Sequence, residues 1–350
     1  MNRRKFVGRM LFLAGLSLGT FVPIAAATTP SLGLNQPSAM GAVGSTLWIA
    51  NEMGSSVTVV NSTTGAFVAT ISAHTLGVGR PDSIVVIGPN VFIASQGGPI
   101  SEISSARHHI RTIHPTGCTT SGSTFLGAYG TRLVELCSNG VFHVIDSATG
   151  RIIRTITSTT TTIIQGTALV MVGPQAFVTD NETVIDSKIV EVDVATGKLT
   201  AVVHNSDNLS FQFVDLQGIS SDGTHLWVSN MGQQSVDELL ISNLTLVQVI
   251  TTSFQFSNPG FIMSTRATAS SPNSVYLVNY TGSSSMVTRF TSQGLVVTPQ
   301  WLMCNTNYPF LFNSPNSMLL AGHSLWVANS GDNVLDQMDP VTGILIKTYT

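Results

Sequence analysis

The residues of this chain that can do chemistry are few and widely spaced. Its three cysteines are Cys118, Cys137 and Cys304, and in an exported chain such residues raise the question of a disulfide. His108, His109 and His114 are the densest histidine group, but His108 and His109 face opposite sides of an extended strand and cannot share one metal there. Gly15-Leu16-Ser17-Leu18-Gly19 matches the nucleophile-elbow pattern, yet it falls inside an apolar N-terminal run that reads as an export signal. The spacings of a haem-attachment site, a zinc-protease helix, a phosphate loop and an EF-hand do not occur. The sequence therefore assigns no catalytic residue, no metal ligand and no cofactor.

Aromatic residues are concentrated instead. Ser210-Phe211-Gln212-Phe213, Ser253-Phe254-Gln255-Phe256 and Pro309-Phe310-Leu311-Phe312 repeat one pattern, with Phe261, Trp301 and Tyr308 in the same stretches. Alternate residues of an extended segment point the same way, so three adjacent copies would build an apolar wall. Binding pockets are apolar concavities with a few convergent polar groups, and Asp215, Gln217, Asn258 and Asn316, which follow the Phe pairs, would supply them. The same pairs could equally plug gaps between packed sheets. Trp301 and Tyr308 fit plugging less well, because the connection from Thr298 to Asn316 is longer than packing demands.

What must position these residues is a repeat. Leu47-Trp48-Ile49-Ala50-Asn51, Leu226-Trp227-Val228-Ser229-Asn230 and Leu325-Trp326-Val327-Ala328-Asn329 are its clearest copies. Anchors at Trp48, Phe92, Leu133, Phe177, Trp227, Tyr276 and Trp326 recur every 40 to 50 residues, roughly. Each unit reads as four short strands parted by Gly, Asn or Asp turns, such as Asn61 to Gly65 and Asp339 to Gly343. Evenly spaced strand-only units of this kind predict an all-β, seven-bladed β-propeller of four-stranded antiparallel blades. The phase of the repeat makes the strand near Ser38 to Val43 innermost and Ile344 to Tyr349 outermost, so the blades should be contiguous in sequence. The loops running from one blade's outer strand to the next blade's inner strand define a top face. There Arg80 and Asp82 of the second blade and Gln165 of the fourth would stand opposite the aromatic loops. Cys118, entering blade three, and Cys137, ending its second strand, would meet on that face and could form a disulfide, with Cys304 in a loop across the ring. The alternative is that all three cysteines are small buried apolar residues.

The layout Leu47 to Ile71, Val141 to Ile156, Gln175 to Val203 and Leu325 to Tyr349 resembles the YVTN family of propeller repeats. The second, third and sixth copies depart from it, with Ala94-Ser95, Leu136-Cys137 and Val278-Asn279 at the Ala-Asn position. The resemblance implies a seven-bladed ring and frequent export, and no particular activity.

Residues 1–27 stand apart from the repeats. Arg3-Arg4-Lys5 precedes the apolar run Met10 to Phe21 and then Ala25-Ala26-Ala27, which together read as a cleavable export signal. The stretch Asn2 to Gly8 looks like a twin-arginine signal, with a plain Sec signal as the other possibility. The expected location is the periplasm, the cell envelope or outside the cell, with residues 28–350 forming a single propeller domain and no membrane span after processing. The chain carries a formal net charge of -3, and losing Arg3, Arg4, Lys5 and Arg9 with the signal makes it more acidic, which does not suit nucleic acid. Charged residues make up only 9% against about 25% in typical soluble domains. Either an acidic medium, in which carboxylates are protonated, or the suitability of Thr-rich strands for sheets would account for that.

The leading expectation is an exported, monomeric, non-catalytic binding module. It would hold a small molecule, a peptide or a partner protein at the top face through Arg80, Asp82, Gln165, the Phe pairs and the polar residues that follow them. A metal-dependent propeller lactonase or lyase with Asp82, Asp215, Asn258 and Asn316 as ligands is the second expectation, and a cell-envelope scaffold the third.

Overall fold

The computed structural model describes residues 31–119, 122–183, 186–205, 211–251, 256–267, 273–280, 285–293, 296–304 and 312–350, with the side chains of 293–304 left out. Seven four-stranded antiparallel sheets run in chain order, the first made of Pro37–Val43, Thr46–Asn51, Ser56–Asn61 and Phe67–Ser72, the last of Pro315–Ala321, Ser324–Asn329, Val334–Met338 and Leu345–Tyr349. Within every sheet the strands neighbour one another in sequence order, so each blade is built from contiguous chain. The first strands touch in an unbroken circuit, blade one to blade two and so on until blade seven returns to blade one. That circuit makes the first strand of each blade the innermost and closes a seven-bladed β-propeller.

Sequence chemistry sets the turns. Between third and outer strands, the side-chain oxygen of Asn61 accepts the N–H groups of Thr63 and Thr64 at 3.0 and 2.9 Å, and Asp339 accepts those of Val341 and Thr342 at 2.9 and 2.7 Å. Gly65 and Gly343 follow at φ +66° and +73°, where a side chain would be strained. Such local bonds make the reversal independent of the rest of the fold.

Seven apolar clusters hold the ring, one at each junction between blades. Trp48 lies with Val91 and Ile93 of blade two, Trp227 with Phe290 of blade six, and Trp326 with Leu47 and Ile49 of blade one, each Trp fully buried. In blade three the expected anchor moves by one residue. Val134 stands opposite Gly127 as Trp48 stands opposite Gly41, so Val134 and not Leu133 takes the anchor position.

The seam between blades seven and one has no shared strand. Trp326 Nε1 donates to the Ser62 carbonyl at 3.2 Å, Gln337 Nε2 to that of Thr63 at 2.9 Å, and the Tyr349 hydroxyl to that of Thr64 at 2.7 Å. Leu32 and Leu34 add to the same cluster, and the Leu32 N–H meets the Thr350 carbonyl at 2.6 Å.

Three expectations need correction. Single helical turns, Ala73–Leu76 and Ser158–Thr161, interrupt an otherwise strand-only chain. The outer strand of blade six runs Val296–Cys304 with Trp301 opposite Arg289, because ladder pairing continues past Thr298; Trp301 is thus in a strand and not in a loop. Cys304 ends that strand rather than lying in a connection. Among the described residues no helix is long and apolar enough to cross a membrane.

Candidate functional site

One residue of the inner strand is displaced in six of the seven blades. The ladder between first and second strands slips between Pro37 and Ala39, Pro81 and Ser83, Gly166 and Ala168, Leu216 and Gly218, Pro259 and Ile262, and Pro315 and Ser317. Such a bulge leaves the extra residue out of the ladder and re-aims its side chain. The residues so released are Ser38, Asp82, Thr167, Gln217, the pair Gly260 and Phe261, and Asn316. All of them line one cavity of about 580 Å³ to which the inner strands of all seven blades contribute. Blade three, whose ladder runs without a slip from Thr124 to Tyr129, presents Phe125 there instead.

The bulges also lock neighbouring blades. The Ser38 hydroxyl donates to the Pro81 carbonyl at 3.0 Å, that of Thr167 to Leu216 at 2.8 Å, and that of Tyr280 to Pro315 at 2.9 Å. Between blades two and three the Thr124 N–H donates to Asp82 Oδ2 at 3.1 Å. A collar of neutral hydrogen-bonding groups results. Beyond it the channel wall is mixed, with Ile84, Leu126, Leu169, Ile219, Ile262 and Met318 beside Ser83, Ser220 and Ser264.

Asp82 is the one acidic carboxyl in this lining, and no Lys, Arg or His joins it among the described residues. Burial pushes its pKa up to about 8 against the opposing pull of the Thr124 N–H, with the Glu52 and Glu135 carboxylates adding to the rise. Its Oδ1 is buried without a hydrogen-bond partner among the described residues. At neutral pH it is mainly a carboxylic acid, able to donate as well as accept.

Of the residues expected at the site, Asp82, Gln217 and Asn316 line the channel. Arg80 is not part of the lining; it is exposed and paired with Glu52, which also accepts Gln96 Nε2 at 2.9 Å. Gln165 is exposed and is not part of the lining. Asp215 accepts Asn181 Nδ2 at 3.1 Å and Gln217 Nε2 at 2.6 Å, so it orients Gln217 rather than facing the cavity. Asn258 is exposed, with its carbonyl accepting the Tyr280 N–H at 3.1 Å.

The described members of the Phe pairs do not line the channel. Phe211 and Phe213, with ring centroids 4.9 Å apart, are buried in the cluster between blades four and five. Phe256 is buried beside Phe290 and Phe312 beside Tyr276 and Val278. These four rings fill gaps between blades, because each precedes the bulged inner strand and faces the neighbouring sheet. Phe254, Tyr308 and Phe310 lie outside the described residues, as does the side chain of Trp301. The aromatic residues that do line the channel are Phe125, Phe261 and Tyr280. Their signal was available as position: each lies at the start of an inner strand or, for Tyr280, just after a second strand.

Of the four residues considered as metal ligands, the lining holds Asp82 and Asn316 but neither Asp215 nor Asn258. One largely protonated carboxyl and an amide make a poor donor set for a divalent cation. The histidine cluster is also dispersed, with His108 and His109 exposed and His109 Nε2 beside Thr112 Oγ1 at 3.0 Å.

No family model matches the chain, and no curated protein does. Among solved structures it is similar to virginiamycin B lyase from Staphylococcus aureus, with a TM-score of 0.61 and 12% identity over 85% of this chain and 93% of that one. The likeness is one of fold. It is also similar to a chain of the mitotic checkpoint complex, with a TM-score of 0.64 and 13% identity over 93% of this chain and 97% of that one. A ring shared at such low identity carries no activity across.

Proposed function

We propose that this chain is an exported propeller module that binds a neutral, partly apolar small molecule in its central channel. The observation that carries the reading is the collar of bulged residues over a cavity of about 580 Å³ lined by apolar side chains and serines, with Asp82 as its one acidic carboxyl. Such a mouth rewards hydrogen-bonding groups that bear no charge and an apolar body that fills the funnel. An anionic ligand would meet no opposite charge in the lining, and its desolvation would go uncompensated.

Export is supported by the basic and apolar composition of residues 1–27 and by the Cys118–Cys137 disulfide, a bond more common in oxidising compartments. N-terminal sequencing of the protein recovered outside the cytoplasm should begin just after Ala27. A retained Met1 in that fraction would count against the signal. The turn and strand pattern supports the YVTN-like reading of the repeats, which is the kind of ring that carries binding loops.

The lyase alternative draws on the similarity to virginiamycin B lyase, but the channel residues favour binding over metal chemistry. A thermal-shift screen of neutral small molecules tests the choice. Compounds that stabilise the protein should lose their effect in Ser38→Trp, which fills the collar, whereas a panel without hits, or hits indifferent to that change, would sink the channel reading.

A further inference from the structure

The buried polar group farthest from explanation lies between blades two and three. Glu135 and His143 are cross-strand partners on the second and third strands of blade three, 0% and 1% exposed. They continue the row of Leu133 and Ile145, which belong to the apolar cluster at that junction. His143 Nε2 meets the Thr116 carbonyl at 3.0 Å and therefore carries a hydrogen, since a carbonyl only accepts. Its Nδ1 then turns to Glu135 Oε2 at 2.7 Å. Two acceptors that close, out of water, must share a proton. The second oxygen, Glu135 Oε1, is buried with no hydrogen-bond partner among the described residues. A fully buried carboxylate with an idle oxygen is costly unless something binds there.

Beside this pair stand Cys118 and Cys137. One ligand atom from each of Cys118, Glu135, Cys137 and His143 lies within 4.8 Å of the others. Metal–ligand distances of a tetrahedral zinc site put its ligand atoms roughly 3–4 Å apart, so the four need only small rotamer adjustments. The outer nitrogen of His143, held by a backbone carbonyl, has the arrangement that fixes a ligating imidazole in its tautomer. Cys118 is half-buried while the other three are buried, which leaves one side of the group open to a reductant or an incoming ion.

We propose that Cys118, Cys137, His143 and Glu135 form a redox-gated site for a borderline-soft divalent cation such as Zn²⁺. In the oxidised state the two sulfurs are bonded to each other, and the site is shut. A dithiol reductant opens it: the Sγ–Sγ bond breaks, the two cysteines gain two electrons and two protons, and the reductant is oxidised to its own disulfide. Binding of the cation then releases both thiol protons as two Sγ–metal bonds form, and displaces the proton held between Nδ1 and Oε2. The disulfide and the metal are mutually exclusive fasteners of one junction. This site is separate from the channel and does not depend on what the channel binds.

The test titrates the purified chain with Co²⁺ alone, after reduction by a phosphine and removal of the reductant without air. One equivalent should produce thiolate-to-cobalt charge-transfer absorption and the intense visible bands of a tetrahedral site, and Zn²⁺ should bleach both. The disulfide form should produce neither. Cys118→Ser should lose most of the charge transfer, His143→Gln should shift the visible bands and weaken binding, and Cys304→Ser should change nothing. A reduced chain that keeps its sheet circular dichroism yet develops no bands overturns the proposal, as do bands that survive in the double variant Cys118→Ser/Cys137→Ser. If reduction costs the sheet signal, refolding is compared with and without Co²⁺. Recovery only with Co²⁺ supports the site, and equal recovery or none in both overturns it.

Discussion

Asn230, at the top of the second strand of blade five, donates through Nδ2 to Asp237 Oδ2 on the third strand at 3.2 Å, and both side chains are fully buried. Asn329 makes the same bond to Asp336 at 2.9 Å in blade seven. Burial pushes Asp237 up to about 7 and Asp336 up to about 6, against the pull of these amides. The folded protein therefore holds protons that the unfolded chain, with ordinary Asp values near 3.8, releases. Stability should be greatest in acid, fall as pH rises from about 4 through 8, where Asp82 sets the upper end, and level off once these groups are ionised in both states. The effect is on the order of a few kcal/mol. Urea unfolding across that range measures it, and Asp237→Asn, which mimics the neutral acid, should flatten the slope. A stability that rises with pH over the same window would contradict the assignment.

Asn51 is the blade-one form of the same clamp. Its Nδ2 donates to Thr58 Oγ1 at 2.9 Å and Ser56 Oγ at 3.2 Å, and its Oδ1 accepts the Asn35 N–H at 3.3 Å. Asn51→Ala strands those groups and should cost about 1–3 kcal/mol in urea unfolding. A loss within a few tenths would mean that water or a neighbour replaces the amide.

Closure of the ring should depend on side chains at the seam. Tyr349→Phe removes the one hydroxyl hydrogen that the Thr64 carbonyl and, at 2.9 Å, Gln337 Oε1 share, at a cost of about 1–2 kcal/mol. Gly322→Ala should be worse. At φ +56° its Cβ would lie 2.0 Å from the Ser62 carbonyl oxygen of blade one, so blades seven and one must move apart. Limited proteolysis should then cut first near this seam, and an unchanged melting temperature in Gly322→Ala would contradict the account.

The Cys118–Cys137 disulfide joins positions 19 apart in sequence, with Cα atoms 5.4 Å apart. In the chain-entropy model its removal should cost about 3 kcal/mol. Cys118→Ser/Cys137→Ser, compared with the oxidised parent by urea unfolding, gives the number. Cys137 pairs with Thr124 in the ladder just as Asn51 pairs with Pro37, so the disulfide occupies the clamp position and should matter as much as Asn51 does.

The Trp and Asn of the clearest repeats, Trp48 with Asn51, Trp227 with Asn230 and Trp326 with Asn329, were legible in the sequence, because a 40- to 50-residue period of strands and Asx turns admits few folds. Asp82, Gln217 and Asn316 were legible as top-face residues from their place at the start of an inner strand. The Phe pairs left two readings open for a physical reason. An alternating pair in an extended segment has one apolar face, but only the packed neighbour decides whether that face meets a channel or an adjacent blade. Phe213, fully buried against blade four, met the blade.

Local chemistry is what the sequence by itself determined: the strands, the turns capped by Asn61 and Asp339, the sevenfold count and the contiguous blades. All of these follow from residue type and spacing within the repeats and from how many times the repeat recurs. The tertiary structure alone decided the bulges that aim Ser38, Asp82, Thr167 and Asn316 inward and the meeting of Cys118 with Cys137, Glu135 and His143. A bulge is a one-residue slip between two strands, and a buried cluster is an encounter across strands and loops. Both depend on how strands register with their neighbours, which no single stretch of sequence encodes.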